Sequence, residues 1–431
     1  MRMKLNKSSQ LALVSAASLA AAALITACGT LTTDFVFVTS SRAAGTNNYG
    51  QIDVFEINSE SGYMRQIPTS PFPSGGRDPV AEAVSQDQYN LYVVNQDDNS
   101  IVQFAIGNDG KVYPQNTVNT PGIYPMAIAV NGTNLFVVDT YQPLPICSTA
   151  DPCSGSIGVL PITVGSGSPP SDPPSSTPVS NGDLTYMPLC KTGYTYTAAT
   201  STWNCTGTES AVIVPTAVNV VQSGGFVFVS AYDSSVTPNR GYVFAFTVGS
   251  GGVLTPANGG VPHDMGVGAS GRGIRPSAIA SDPTSSYIFV TDATNGIVAG
   301  YSVASGVVTL ISDTPAGNQP SAIVADPVYP YLYVTNAEDS TVTAYSMSSG
   351  ALTNLGNYAT GLQPVALGID PSTNHFLFTA NFLGNGTVGS VSGFELSPTA
   401  GTLINSEDSP FTSNAQPTAV AAIPHNTPTT K

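Results

Sequence analysis

From residue 30 onward the apolar residues come in short runs, mostly Val, Ile, Phe and Tyr, and each run is closed by Gly, Pro, Asn or Asp. Runs of this kind read as β-strands: β-branched and aromatic side chains fit a pleated surface, while the closing residues take the backbone through turns. Some runs alternate apolar with polar, as in "IDVFEI" from Ile52 and "TVTAYSM" from Thr341, the period of a strand with two unlike faces. No long stretch repeats at the helical period, so the chain reads as all-β.

Three patterns recur in a fixed order. The first is a Pro-led strand of small and β-branched residues: "PVAEAV" at Pro79, "PMAIAV" at Pro125, "PTAVNV" at Pro215, "PSAIAS" at Pro276, "PSAIVA" at Pro320, "PVALGI" at Pro364 and "PTAVAA" at Pro417. The second is a strand such as "FVFVTS" at Phe35, "LYVVNQ" at Leu91 or "YLYVTN" at Tyr331, and the third is the alternating strand that follows it. A Gly and a fourth short strand often complete the unit. Pro276, Pro320 and Pro364 stand about 44 residues apart, the spacing of a four-stranded propeller blade.

Each pattern occurs seven times, but the ends are out of phase. The strand at Phe35 has no Pro-led strand before it, and the Pro-led strand at Pro417 has no companion after it. The expected fold is therefore a seven-bladed β-propeller of four-stranded antiparallel blades, its ring closed by the C-terminal strand pairing in the N-terminal blade. Closure of this kind leaves no exposed edge. The propeller is expected over 35–423, with insertions at 141–157, 164–183 and 190–212 around blade three and a tail at 424–431.

Charge and cysteines narrow the partners. The 431-residue chain has 27 acidic and 12 basic residues, a net charge of −15, which repels phosphate backbones and argues against nucleic acid. Cys147, Cys153, Cys190 and Cys205 form an even set on loop-like sequence, which predicts two disulfides with three connectivities open. Their spacings lack a CxxC pair and no His lies among them, so no metal site is expected. "GVGASG" at Gly266 has a dinucleotide-loop spelling without the strand-turn-helix around it, and the acidic turns "NQDDN" and "NAEDS" lack calcium-loop spacing. No cofactor is implied, and a monomer is expected.

The first residues carry a separate signal. Arg2, Lys4 and Lys7 precede the apolar run "LALVSAASLAAAALITA", which ends in "ITAC". This stretch resembles a bacterial lipoprotein signal. The resemblance implies that 1–27 is removed, that Cys28 becomes the lipidated N-terminus, that 28–34 is a short tether, and that the protein is exported and held in the cell envelope, at the outer membrane or cell surface.

Tyr333, Val334, Thr335 and Asn336 spell "YVTN", and the repeat region from Phe35 to Ile423 resembles the YVTN-repeat and lactonase-like seven-bladed propellers. That resemblance implies a sugar-lactone hydrolase, 6-phosphogluconolactonase-like, working with a His, acidic residues and Arg on one face. A family pattern of a Gly-rich turn followed by Pro-Arg-His matches "SGRGIRPSAIASDP", Ser270 to Pro283. That segment keeps Arg275 and places Ser277 where the His would fall. His263 lies nearby with Arg272 and Arg275, and Glu338 is the candidate acid; these four are the catalytic candidates, with Arg240, Asp233 and Asp339 on neighbouring loops. His375 begins a core strand and His425 belongs to the tail.

Blade order puts the loops before each Pro-led strand around the top mouth of the central channel. The residues just before Pro are Asp78, Tyr124, Val214, Arg275, Gln319, Gln363 and Gln416. Arg77, Asp78, Tyr124, Gln319, Gln363 and Gln416 are the candidate ligand-binding set. Two readings stand: a membrane-anchored binding module whose top loops take a protein or carbohydrate partner, and a lactone hydrolase in which Ser277 replaces the family His.

Overall fold

The computed structural model describes residues 32–41, 48–58, 61–143, 153–162, 185–206, 211–268, 271–370, 376–384, 388–413 and 415–424. Seven antiparallel sheets follow one another around an axis. The inner strands of blades two to seven are Pro79–Val84, Ile123–Asn131, Ile213–Val220, Pro276–Ser281, Pro320–Ala325 and Leu362–Ile369. Blade one takes its inner strand, Pro417–Pro424, from the C-terminus and the rest from Thr32–Ser40, Gln51–Asn58 and Met64–Gln66. The closing register pairs Phe37 with Ala421 and Phe35 with Ile423. Each inner strand neighbours the next, and the strand from Pro417 touches both Pro79–Val84 and Leu362–Ile369, so the ring is complete.

Proline stands first in four inner strands and third in the other three, at or near a strand start where its missing N–H costs least. The residue after it is bulged in all seven blades. In blades five, six and one the bulged residue carries a hydroxyl to the next blade: Ser277 donates to the Pro320 carbonyl at 2.5 Å, Ser321 to Pro364 at 2.7 Å and Thr418 to Pro79 at 2.7 Å. In blades one, five and six the Pro-Ser or Pro-Thr pair is thus a stitch to the next inner strand, whereas Thr216 of blade four bonds to Ser230 within its own blade.

The second strands form the buried layer, and their alternation sends side chains to two neighbours. In blade six Leu332 and Val334 pack with Phe289 and Val298 of blade five, while Tyr333 packs with Leu377 and Phe394 of blade seven. Asn336, which ends this strand, is fully buried. Its Oδ1 accepts the Gly317 N–H at 2.9 Å, and its Nδ2 donates to Thr341 at 3.1 Å and Thr343 at 2.9 Å. The Asn of the repeat therefore ties the strand end to the loop entering the same blade.

Two departures from the regular blade matter for function. In blades one, four and seven the outer strand is broken in two, and His263–Gly266 is the second piece in blade four. In the insertion after blade three, Tyr194–Thr197 and Thr202–Cys205 form a separate hairpin stapled by a Cys190–Cys205 disulfide. Cys153 is disulfide-bonded as well. Cys147, Cys28, His375, His425, the signal segment and the whole 164–183 insertion lie outside the described residues. Among the described residues no helix is long and apolar enough to cross a membrane.

Candidate functional site

The loops before the inner strands and the turns after the second strands meet on one end of the ring. Asp98 accepts the Arg77 N–H at 2.8 Å, Asp339 accepts the Asn318 N–H at 2.6 Å, and Asn99 accepts the Tyr124 N–H at 2.7 Å. These bonds fix the positions of the residues that precede each proline, around the mouth of the channel.

Four of those residues have unusual backbone. Asp78, Tyr124, Gln319 and Gln363 have φ of 50°, 57°, 55° and 56°. Residues with a Cβ pay roughly 1–2 kcal/mol in this left-handed region, and glycine would adopt it freely. Backbone bonds hold the conformation: Gln96 donates to the Asp78 carbonyl and Ala337 to that of Gln319, both at 2.9 Å. Burial, and secondarily the charge of Asp97, holds the Asp78 carboxyl above the usual carboxylate range. Gln416 joins the ring through its carbonyl, which accepts the Ser41 N–H at 3.3 Å.

Arg275 reaches the same mouth from blade five. Its guanidinium lies 5.4 Å from the Tyr232 ring centroid, its N–H donates to Asp292 at 3.1 Å, and the side chain is exposed. Arg77 is pinned instead, by an Nε bond of 2.7 Å to Asp98 that raises its pKa. Glu338 is exposed in the blade-six turn, and Arg272 is exposed in the loop leading to Arg275.

Other sequence candidates land elsewhere. His263 sits on an outer strand and not in the top loop that holds Arg272 and Arg275. It pairs with Val243, and its ring meets Tyr301 of blade five edge-on at 5.1 Å. Burial lowers its pKa, with Asp264 opposing. Arg240 is held by Asp264 at 2.7 Å. Ser277 spends its hydroxyl on the stitch to Pro320 and on Thr291 at 2.8 Å, with no base beside it to activate it. Asp233 is fully buried; burial opposes its charge, but bonds from Ser235 and Lys191 hold the carboxyl below the ordinary value. His263 therefore leaves the mouth to line a cleft of about 670 Å³ at the seam of blades four and five, with Asp264, Tyr301 and Asp313.

The sequence reading passed over Glu82. Where the other inner strands place Ile128, Val218, Ile279, Ile323, Leu367 and Val420, blade two has a carboxyl. It points into the joint with blade one, where Thr39 Oγ1 donates to Oε2, while Oε1 is buried without a partner. Burial pushes its pKa up to about 8, against bonds from Thr39 and the Ala421 N–H. The one polar letter in a repeated apolar column was the available signal.

Comparison with known proteins follows the fold. The description "Lactonase, 7-bladed beta-propeller" matches residues 46–143, 266–369 and 288–427, together more than half of the chain. Among solved structures, a candidate 6-phosphogluconolactonase from Bacteroides fragilis is 19% identical with a TM-score of 0.64, covering 91% of this chain and 99% of that one. A candidate 6-phosphogluconolactonase from Bacteroides uniformis is 16% identical with a TM-score of 0.65, at 91% and 99% coverage. A periplasmic gluconolactonase from Pseudomonas aeruginosa is 17% identical with a TM-score of 0.62, at 90% and 99%. No curated protein sequence matches. At such identities the structural likeness speaks for the fold alone, whereas the match along the sequence speaks for kinship: the chain belongs to the lactonase family of seven-bladed β-propellers.

Proposed function

We propose that the top mouth of the channel binds a small polyhydroxylated ligand, a sugar or sugar-acid lactone, and that the chain serves as an exported, lipid-anchored recognition module. The observation that carries this reading is the ring of left-handed residues. Asp78, Tyr124, Gln319 and Gln363 keep side chains at positions where glycine would relieve strain, and strain retained at a cleft is a mark of use. Carboxyl, phenol and amide groups around one opening, with the Arg275 cation stacked at its edge, offer the donors and acceptors that hydroxyl-rich ligands need.

The double variant Gln319→Gly, Gln363→Gly tests it. Stability is expected to rise by about 1 kcal/mol per site, and binding of gluconate or glucono-lactone, followed by calorimetry, to be lost. Wild-type affinity in the stabilised variant would end the reading.

Family membership supports a second reading, hydrolysis of a sugar lactone at the same mouth. Water adds to the lactone carbonyl and the ring ester bond breaks, giving the open hydroxy acid; Arg275 is the group suited to hold the carbonyl oxygen as negative charge develops. Turnover of 6-phosphogluconolactone that disappears in Arg275→Ala would establish it, and no turnover by the wild-type protein would leave binding as the role.

A further inference from the structure

The cleft at the seam of blades four and five lies apart from the channel and has its own chemistry. Its floor is apolar: Val267, Ile274, Ile297, Ala299 and the exposed Leu310. Its polar groups come from both blades. Blade four contributes His263 and Asp264, and blade five contributes Asn295, Tyr301 and Asp313.

These groups are not equivalent. Asp264 is engaged by Arg240, whose guanidinium approaches from outside the lining. Asn295 is spent on the Gly273 carbonyl at 2.8 Å and on Asp292. His263 is half-buried, its pKa lowered by that burial, and its ring is bonded to Val308. Asp313 stands apart, because its carboxyl has no hydrogen-bond or ion-pair partner among the described residues, although its backbone lies in the ladder opposite Ala299. Burial, and then the charge of Asp292, raises its pKa, and the Tyr301 hydroxyl is raised in turn by desolvation and by these two carboxylates. Among the described residues, no Lys or Arg lines the cleft. A carboxyl beside an apolar floor and a second carboxylate gains most from a cation that brings its own apolar body.

We propose that this cleft is a binding site for a small organic cation, an amine carried on an alkyl or aryl group, with the ammonium against Asp313 and the apolar part over Ile274, Ile297 and Leu310. About 670 Å³ is room for a ligand of that size. The site is independent of the channel mouth, although the loop that ends at Arg275 forms part of both.

The test uses hexylamine, phenethylamine and tryptamine as probes, with hexanol and phenylethanol as neutral counterparts, in calorimetric titration of the wild-type protein, Asp313→Asn and Gln319→Gly. At least one amine is expected to bind saturably, its alcohol at least tenfold more weakly. Asp313→Asn should weaken the amine at least tenfold with an unchanged melting temperature, since the residue is on the surface. Binding should fade as pH drops and Asp313 gains its proton, while the amines stay charged. Gln319→Gly should leave amine binding untouched, which separates this site from the mouth. The proposal is overturned if no amine binds saturably, if the alcohols match the amines, or if Asp313→Asn binds as the wild type does.

Discussion

Blades two and six begin from nearly the same stretch, "LYVVNQDDNS" and "YLYVTNAEDS", and diverge one strand further in. Both end the second strand in a buried Asn and use the Asp of the turn to hold the loop before the proline: Asp98 on Arg77, Asp339 on Asn318. The inner strands then differ. Blade six has Ser321 stitched to Pro364 and Ile323 in the joint with its neighbour, whereas blade two has Val80 and the carboxyl of Glu82. The shared part holds a blade together, and the parts that differ face the channel and the seams, where ligands can be met.

The largest test of that contrast is Glu82→Gln. The folded pKa of about 8 lies above the ordinary 4.5, so the fold favours the neutral acid. The stability this confers is full below about pH 4.5 and is lost as pH climbs toward 8. Between those limits the wild type should lose up to about 1.4 kcal/mol per pH unit relative to Glu82→Gln, somewhat less because the residue is only partly buried. Urea unfolding of both proteins at pH 5.5 and 7.5 reads this directly, and parallel curves would show that the carboxyl ionises freely.

Next in size is the paired Asn. Asn336 makes three bonds, and its loss leaves Gly317 N–H unmet, so Asn336→Ala should cost about 2 kcal/mol. In blade two the Asn95 Nδ2 has no partner and Oδ1 accepts only a 3.2 Å bond from Ser74, so Asn95→Ala should cost about 1 kcal/mol. Equal losses would mean that the two motifs carry the same load despite their geometry. The smallest effect belongs to the stitch: Ser321→Val, which gives blade six the residue of blade two, should cost about 1 kcal/mol in the same unfolding assay.

Sequence periodicity was enough to read the ring, because propeller blades repeat the same burial problem and solve it with the same residues. The phase mismatch between Phe35 and Pro417 was enough to read the closure. The candidate site was legible in part. Residues before proline could be placed at the mouth by strand order, but their left-handed backbone could not be seen, since Gln and Tyr carry no mark of positive φ as Gly does. His263 was misplaced because a broken outer strand in blade four looks like loop: "HDMG" is too short and too polar to show alternation. The cleft between blades four and five was invisible for a further reason, that its walls come from two neighbouring blades and a pocket has no period.

Closing a ring with the final strand also has a cost in time. Thr418 bonds to the carbonyl of Thr39 across 379 residues. At roughly 5–20 residues per second, the N-terminal strand of a growing chain waits tens of seconds for the partner that covers its edge. Through that interval Val36, Phe37 and Val38 lie on an apolar strand whose edge toward the last strand is unpaired, a surface open to wrong partners. The vulnerable interval is thus the one before the last strand arrives, and a chain cut short near its C-terminus would stay permanently in that state.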